Sequence, residues 1–360
     1  MKKLIVKVLV LLYSILVTLH LAACMGEFPS DIGTAVLPET SEATQSSTDT
    51  FLPSETSEAI QQYKDISDDF ECPIFLEEIR RQLGKTGVSY SGNIYLSAIY
   101  DVDVVDIKWL YLEDMGITSL AGIEYFTSLE VLDARNNLLT ELDITDMPNL
   151  REINVRGNLL NMFNISNVPE IEVIQVENNE LTKLNVSNCP KLSVLNAGNN
   201  QLTELDVSSN PNLISLAVHG NRLICIDISK NPSLTGLYVN SNRLTDLDVS
   251  FNLELDELIA FDNQLTEINV SRNSSLRRLE IRLNQLTTLD VAQNTKLVFL
   301  DIRWNNIAQP DDIAGWQDVN MTIYKEVYTT DQVEISWESY SLEIANNPSL
   351  WFYPQHEALA

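Results

Sequence analysis

The chain is dominated by one pattern of apolar positions that recurs every 21 residues. Leu or Ile fills the first position of nine successive units, and apolar residues return at positions 4, 6, 11, 14 and 16 of each unit. The first positions are Leu129, Leu150, Ile171, Leu192, Leu213, Leu234, Leu255, Leu276 and Leu297. An internal period of this length predicts stacked repeats that bury one continuous core.

Within each unit, positions 3 to 7 alternate between core-directed and outward side chains, as in Val194-Leu195-Asn196-Ala197-Gly198. Residues with a period of 2 belong to β-strands, so each repeat is expected to contribute one short parallel strand. We call the outward side chains at positions 3, 5 and 7 the sheet face. A second alternation at positions 14 to 17, as in Leu205-Asp206-Val207-Ser208, predicts a short extended segment on the opposite side.

Asparagine recurs at two further positions of the unit. Position 9 is Asn137, Asn158, Asn179, Asn200, Asn221, Asn242, Asn263, Asn284 and Asn305. Position 19 is Asn210, Asn231, Asn252, Asn273 and Asn294. A chain that turns inward after a strand leaves backbone donors and acceptors unpaired, and a column of amides satisfies both. We therefore interpret both columns as structural ladders.

This spacing of Leu, Ile and Asn resembles the leucine-rich repeat. The resemblance implies an α/β solenoid, a superhelix in which β-structure dominates and the sheet face is concave. A related 22-residue unit begins at Ile107, so ten copies span residues 107–307. Residues 59–106 are expected to form a helical N-terminal cap, since Phe75–Gly84 has helical apolar spacing and a glycine stop. Residues 308–360, with three tryptophans, are expected to cap the other end.

The helical cap, followed by the segment Gly116–Phe126, resembles the entry to the internalin-type arrays of Gram-positive surface proteins. Two features depart from that family. Internalins mostly repeat every 22 residues and usually continue into an immunoglobulin-like module, whereas this chain repeats every 21 and its last segment is about half that size. The resemblance implies the architecture and no role in host invasion.

Residues 1–24 carry the features of an export signal: Lys2 and Lys3, an apolar stretch, and Leu21-Ala22-Ala23-Cys24. The last four residues resemble the lipobox of bacterial lipoproteins, in which the cysteine receives a diacylglycerol. Residues 25–58 hold 12 Ser or Thr, 3 Pro, 7 acidic residues and no Lys or Arg, a composition typical of a disordered tether. The expected location is outside the cell on the membrane, at the outer face of the cytoplasmic membrane in a Gram-positive host.

Charge and composition exclude several functions. With 23 Lys and Arg against 51 Asp and Glu, the net charge is −28, which argues against a nucleic-acid partner. Four Cys and three His show no metal-ligand spacing and no nucleophile-base constellation, so we expect no metal, no cofactor and no catalysis. His219 is interpreted as a surface residue.

The aromatic and arginine residues of the sheet face cluster in its C-terminal repeats. The candidate ligand contacts are Tyr238, Phe261, Arg278, Arg282, Phe299, Arg303 and Trp304. Aromatic residues and Arg contribute disproportionately to binding energy at interfaces, which favours a binding site. The alternative is that Glu257, Glu280 and Asp301, in neighbouring rows, pair with the arginines as surface salt bridges.

Two functions follow from this reading. The leading hypothesis is a non-enzymatic, monomeric cell-surface protein that presents its sheet face to a protein ligand on a host, a cell surface or the envelope. The alternative is a binder of anionic glycan or cell-wall polymer, because aromatics beside arginines suit such a ligand. Loss of binding at high salt would distinguish the second from the first.

The lipobox makes a prediction about Cys24. Two acyl chains hold a protein on a membrane where one holds it only marginally. Cys24→Ser is therefore expected to leave the protein uncleaved or free in the medium, measured by metabolic labelling with a fatty acid and by membrane fractionation. Unchanged lipid labelling of the variant would refute the assignment.

Overall fold

The computed structural model describes residues 63–85, 88–90, 93–95, 98–308, 310–315, 327–329 and 332–334. The expected export signal, the tether and most of the expected C-terminal cap lie outside the described residues. Within the part described, no helix combines the length and apolar character needed to cross a membrane.

The N-terminal segment contains helix α1 (Pro73–Gln82), a hairpin of strands β1 (Val88–Tyr90) and β2 (Asn93–Tyr95), and the short helix α2 (Asp101–Val104). Proline opens α1 at a position where a missing N–H costs nothing, and Gly84 follows its end with a φ of 66°. Phe75 of α1 is fully buried, with its ring centroid 5.2 Å from that of Phe70 and 6.3 Å from that of Phe126. The helix thereby covers the open apolar end of the first repeat.

Ten parallel strands form the main sheet, one from each repeat. They are β3 (Trp109–Tyr111), β4 (Val131–Asp133), β6 (Glu152–Asn154), β8 (Val173–Gln175), β9 (Val194–Asn196), β10 (Ser215–Ala217), β11 (Gly236–Tyr238), β12 (Glu257–Ile259), β13 (Arg278–Glu280) and β15 (Phe299–Asp301). Neighbouring strands pair residue for residue at a shift of one repeat, so Leu195, Leu216 and Leu237 form one fully buried row. The predicted leucine-rich-repeat solenoid, with one short parallel strand per repeat, is confirmed.

On the opposite side of the repeats, few of the segments pair as strands. Paired strands occur there only between β5 (Glu141–Asp143) and β7 (Met162–Asn164) and between β14 (Leu289–Asp290) and β16 (Ile313–Ala314), as far as the structure describes the chain. The position-15 side-chain oxygen, of Asp or Asn, accepts a hydrogen bond from the backbone N–H two residues on, as Asp206 does from Ser208 at 2.8 Å. Such local turns satisfy the backbone without a strand ladder. Positions 14 and 16 still point inward.

Each position-9 asparagine bridges its own repeat and the one before it. Asn221 accepts from the backbone N–H of Leu202 at 2.9 Å and donates to the carbonyls of Ala197 and Val218 at 2.9 and 3.0 Å. The same three contacts, to residues 19 and 24 positions back and to the residue three before the amide, recur along the array. One side chain therefore pairs three buried backbone groups.

The position-19 asparagines make a different bridge. The amide of Asn231 donates to the carbonyls of Val207 and Asn210, at 3.0 and 2.9 Å, while its own oxygen, like those of the other four, is buried and has no partner in the described chain. Cys189 holds this position one repeat before Asn210, and burial raises the pKa of its thiol to about 11. Apolar Met147 and Val168 precede it.

The two ladders are expected to differ in their contribution to stability. Asn221→Ala leaves the buried N–H of Leu202 unpaired and removes one of the two amide hydrogen bonds at the carbonyls of Ala197 and Val218, which keep those from Asn200 and Asn242. It should lower the free energy of unfolding by about 1 to 3 kcal/mol. Asn231→Cys introduces the residue that the array already holds at Cys189 and should cost clearly less. Urea unfolding followed by circular dichroism measures both, and equal losses would contradict the bridging role of the position-9 amide.

Candidate ligand-binding face

The three arginines at the C-terminal end of the sheet face lie against two buried carboxylates. Arg278 donates from Nε to Glu280 at 2.7 Å, and Arg282 donates from Nη1 to the other Glu280 oxygen at 2.8 Å. Arg282 is also 3.4 Å from Asp301, to which Arg303 donates at 2.7 Å. Both acidic side chains are only 7% exposed. The chain Arg278-Glu280-Arg282-Asp301-Arg303 is thus a continuous ion-pair network.

Each of these arginines also lies over an aromatic ring. The guanidinium carbon of Arg282 is 3.7 Å from the Phe261 ring centroid, that of Arg278 is 4.8 Å from Phe299, and that of Arg303 is 4.9 Å from Trp304. A cation over a ring face is attracted by the ring quadrupole. The structure therefore brings six of the seven predicted contact residues together in one layer of stacked and paired side chains.

Tyr238, the seventh, is buried, with 8% of its surface exposed. Its hydroxyl donates to Glu257 at 2.6 Å, and its ring lies so close over Gly236 that a Cβ there would be 3.0 Å from the ring. It packs with Ala217 and Ile259 in a small apolar cluster on the sheet face. The period of 2 predicts which side of the sheet a residue faces, but it does not predict exposure. The Tyr238 ring lies flat over Gly236 and is covered by its neighbours. Tyr238 therefore packs beneath the exposed side chains of the sheet face.

Glu280 and Asp301 pair with the arginines, as in the alternative, but they are buried, whereas the alternative had exposed surface bridges; the third carboxylate, Glu257, accepts from Tyr238. Three arginines face Glu257, Glu280 and Asp301, so the local formal charge is balanced. Because Glu280 and Asp301 are buried and each contacts two arginines, removing one arginine would weaken the compensation of a buried charge and lower stability. An alanine substitution at Arg278 or Arg282 therefore tests folding as well as binding.

Trp304 does not lie on a strand, in contrast to its assignment to the concave strand surface. It occupies position 8, in the turn after β15, with a φ of 54°. Position 8 adopts this left-handed conformation in all ten repeats, where its residues are Asp114, Asn136, Gly157, Asn178, Asn199, Gly220, Ser241, Asp262, Leu283 and Trp304. Eight of these are glycine or small polar residues, which adopt it most readily.

Leu283 and Trp304 are the two exceptions, and they lie in adjacent repeats. A bulky side chain with positive φ costs roughly 1 to 2 kcal/mol. Both are nevertheless exposed, at 43% and 41%, directly after Arg282 and Arg303. We call them the apolar rim. The sequence analysis did not include Leu283 among the candidate contacts, because the turn lies outside the predicted sheet face. The sequence does mark it: position 8 changes from glycine or a small polar residue to a large apolar one.

The middle of the sheet face is polar and internally paired. His219 packs on Gly198, where a Cβ would lie 2.3 Å from the imidazole, and its Nε2 is 3.5 Å from Glu177. Asn196 donates to the second Glu177 oxygen at 3.0 Å. Burial opposes ionisation of Glu177, but His219 and Asn196 outweigh it and lower its pKa. Within the described residues, no cluster of His, Cys, Asp and Glu is arranged to hold a metal ion.

Comparison with known proteins agrees with this geometry. The sequence model described as Leucine Rich repeat matches residues 293–309. The domain of InlJ from Listeria monocytogenes superposes with a TM-score of 0.64 at 27% identity, covering 73% of this chain and 58% of that one. The chain has the leucine-rich-repeat fold and is similar to InlJ. It spans little more than half of the InlJ domain.

Structures with lower sequence identity share the fold. The internalin InlF of Listeria monocytogenes gives a TM-score of 0.56 at 21% identity, covering 72% of this chain and 90% of that one. A leucine-rich-repeat protein of Leptospira interrogans gives 0.51 at 19% identity, with 61% and 73% covered. No curated protein matches the sequence. InlJ is described as including a cysteine ladder; here the columns consist of amides, with Cys189 preceding Asn210.

Strain at the apolar rim makes a stability prediction. Leu283→Asn places a residue that tolerates positive φ where the exposed leucine now stands, so the protein should become equally or more stable, by up to about 1 kcal/mol. The reciprocal change, Asn199→Leu, should lower stability by about 1 to 2 kcal/mol. Thermal and urea unfolding measure both. A marked loss of stability in Leu283→Asn would show that the leucine is needed for packing.

Proposed function

We propose that the protein is a non-enzymatic binding protein that captures a protein ligand outside the cell with the C-terminal end of its sheet face. Its anchor is the proposed lipid on Cys24. Folds of the internalin kind are protein-binding domains. The observation that carries the proposal is the apolar rim, where two large, exposed side chains occupy turns that eight other repeats fill with glycine or small polar residues. Strain retained at a solvent-exposed position is typical of functional sites.

The balance of charge favours a protein ligand over an anionic polymer. An anionic glycan needs uncompensated cations, whereas Arg278, Arg282 and Arg303 already bond to carboxylates. Their stacking on Phe261, Phe299 and Trp304 holds the guanidinium groups in fixed positions. A preorganised layer of arginine and aromatic side chains beside an apolar rim has the composition of an interface core.

The test compares two matched double variants of the full chain. Leu283→Asn with Trp304→Asn removes the apolar rim, and Leu138→Asn with Leu159→Asn removes two leucines of similar exposure, 49% and 43%, in the N-terminal repeats. Immobilised protein is used as bait for envelope and host-secretion fractions, and captured proteins are identified by mass spectrometry. The rim variant should bind the captured ligand at least about thirtyfold more weakly, as loss of two anchors implies, and the control should bind normally.

Two outcomes would contradict the proposal. Equal capture by the rim variant would move the binding site elsewhere. Capture that collapses between low and high salt and is competed by an anionic wall polymer would favour the glycan alternative, because apolar contacts are insensitive to screening.

A further inference from the structure

The N-terminal end of the sheet face carries two exposed aromatic side chains. Trp109 and Tyr111 belong to β3, the terminal strand of the sheet, and are 56% and 61% exposed. Because they are two residues apart on one strand, their side chains project to the same side. Neither ring stacks on another ring or on a cation within the described residues. Two large rings therefore stand free at the end opposite the apolar rim.

The next two strands place an apolar floor and two carboxylates beside these rings. Trp109 pairs with Val131, which pairs with Glu152, and Tyr111 pairs with Asp133. Adjacent strands are about 4.8 Å apart, so the Cα atoms of Trp109 and Glu152 are about 10 Å apart. Val131 lies between these two residues. The rings, the floor and the carboxylates together outline a shallow trough, which we call the aromatic trough.

The carboxylates of the trough are incompletely compensated. Arg135 hydrogen-bonds to Glu113 and its Nε is 3.7 Å from Asp133, but Glu152 has no ion pair in the part of the chain that the structure describes. Burial raises the pKa of Glu152, and the neighbouring Asp133 charge raises it further. Burial likewise raises the pKa of Asp133. A partly buried carboxylate without a counter-ion is stabilised by an incoming positive charge.

We propose that the aromatic trough binds a lysine or arginine side chain presented by an extended segment of a protein partner. The methylene groups of that side chain would lie along Val131, flanked by Trp109 and Tyr111, and its charged head would reach Asp133 and Glu152. Long cationic side chains bury their stems on apolar surface in this way and are attracted to aromatic faces. This surface is separate from the apolar rim, so the proposal does not depend on the ligand proposed there.

A cationic side chain fits the trough better than a neutral sugar. Both ligands stack on tryptophan and tyrosine, but only a cation offsets the charge of Glu152 and Asp133. The hydroxyls of a sugar can donate to these carboxylates, but a neutral sugar brings no charge to offset theirs. The net charge of −28 also draws cationic partners toward the protein from a distance.

The experiment uses a fluorescein-labelled peptide of alternating Lys and Ser, with a Glu-Ser peptide as its charge-reversed control. Binding to the full chain is followed by fluorescence anisotropy. Trp109→Ala and Tyr111→Ala leave the net charge unchanged, so any loss of affinity cannot come from general electrostatic attraction. Each should weaken the Lys-Ser peptide about three- to tenfold. Circular dichroism and thermal unfolding verify that these variants remain folded.

Glu152→Gln is paired with Glu204→Gln, which makes the same charge change at an exposed position on the opposite side of the repeats. Glu152→Gln should weaken the peptide about tenfold, and Glu204→Gln should change its affinity less than about twofold, as expected for a remote exposed charge. Equal effects of the two glutamine variants, or unchanged affinity in both aromatic variants, would overturn the proposal. So would binding of a neutral oligosaccharide, cellohexaose, that depends on Trp109 while the Lys-Ser peptide does not.

Discussion

An asparagine amide at position 9 holds each turn of the array against the turn before it. The chain bends inward after every strand, and that bend buries one N–H and one carbonyl of each turn that no strand ladder reaches. Leaving such groups unpaired costs about 1 to 3 kcal/mol each, repeated at every turn. A short amide offers a donor pair and an acceptor in one plane, and so Asn221 bonds simultaneously to Leu202, Ala197 and Val218. The apolar core can form because the asparagine pairs the polar backbone groups that are buried beside it.

The bridge lies on the core side of the strand, which leaves the sheet-face positions free to vary. That freedom has a geometric limit, since side chains on neighbouring strands are about 4.8 Å apart and must pack against one another. Tyr238 lies on Gly236, His219 on Gly198 and Arg282 on Phe261. The central face is consequently covered and its charges are largely paired. This packing leaves two surfaces exposed, the apolar rim at one end and the aromatic trough at the other.

The sequence predicted the elements that follow from period and missed those that depend on neighbouring side chains. The 21-residue spacing was sufficient for the ten strands, the inward rows and the positions of both asparagine columns. Whether the segments at positions 14 to 17 pair as strands did not follow from the pattern, because Asp206-Val207-Ser208 fits both a period of 2 and an aspartate-led turn, and the N–H of Ser208 bonds to the Asp206 side chain. The ion pairs of Arg278 and Arg282 depend on the side-chain conformation of Glu280, which the alternation of residues does not predict.

The distance between the two ends limits what a single ligand can do. Nine strand spacings separate β3 from β15, about 43 Å. A compact domain of about 100 residues has a radius of gyration near 13 Å, so its contact surface is shorter than that span. A small domain seated on the apolar rim would leave Trp109 and Glu152 uncovered. The two ends therefore contact one partner only if that partner is large or extended; with a small ligand they act as separate surfaces, one dominated by apolar contact and the other by charge.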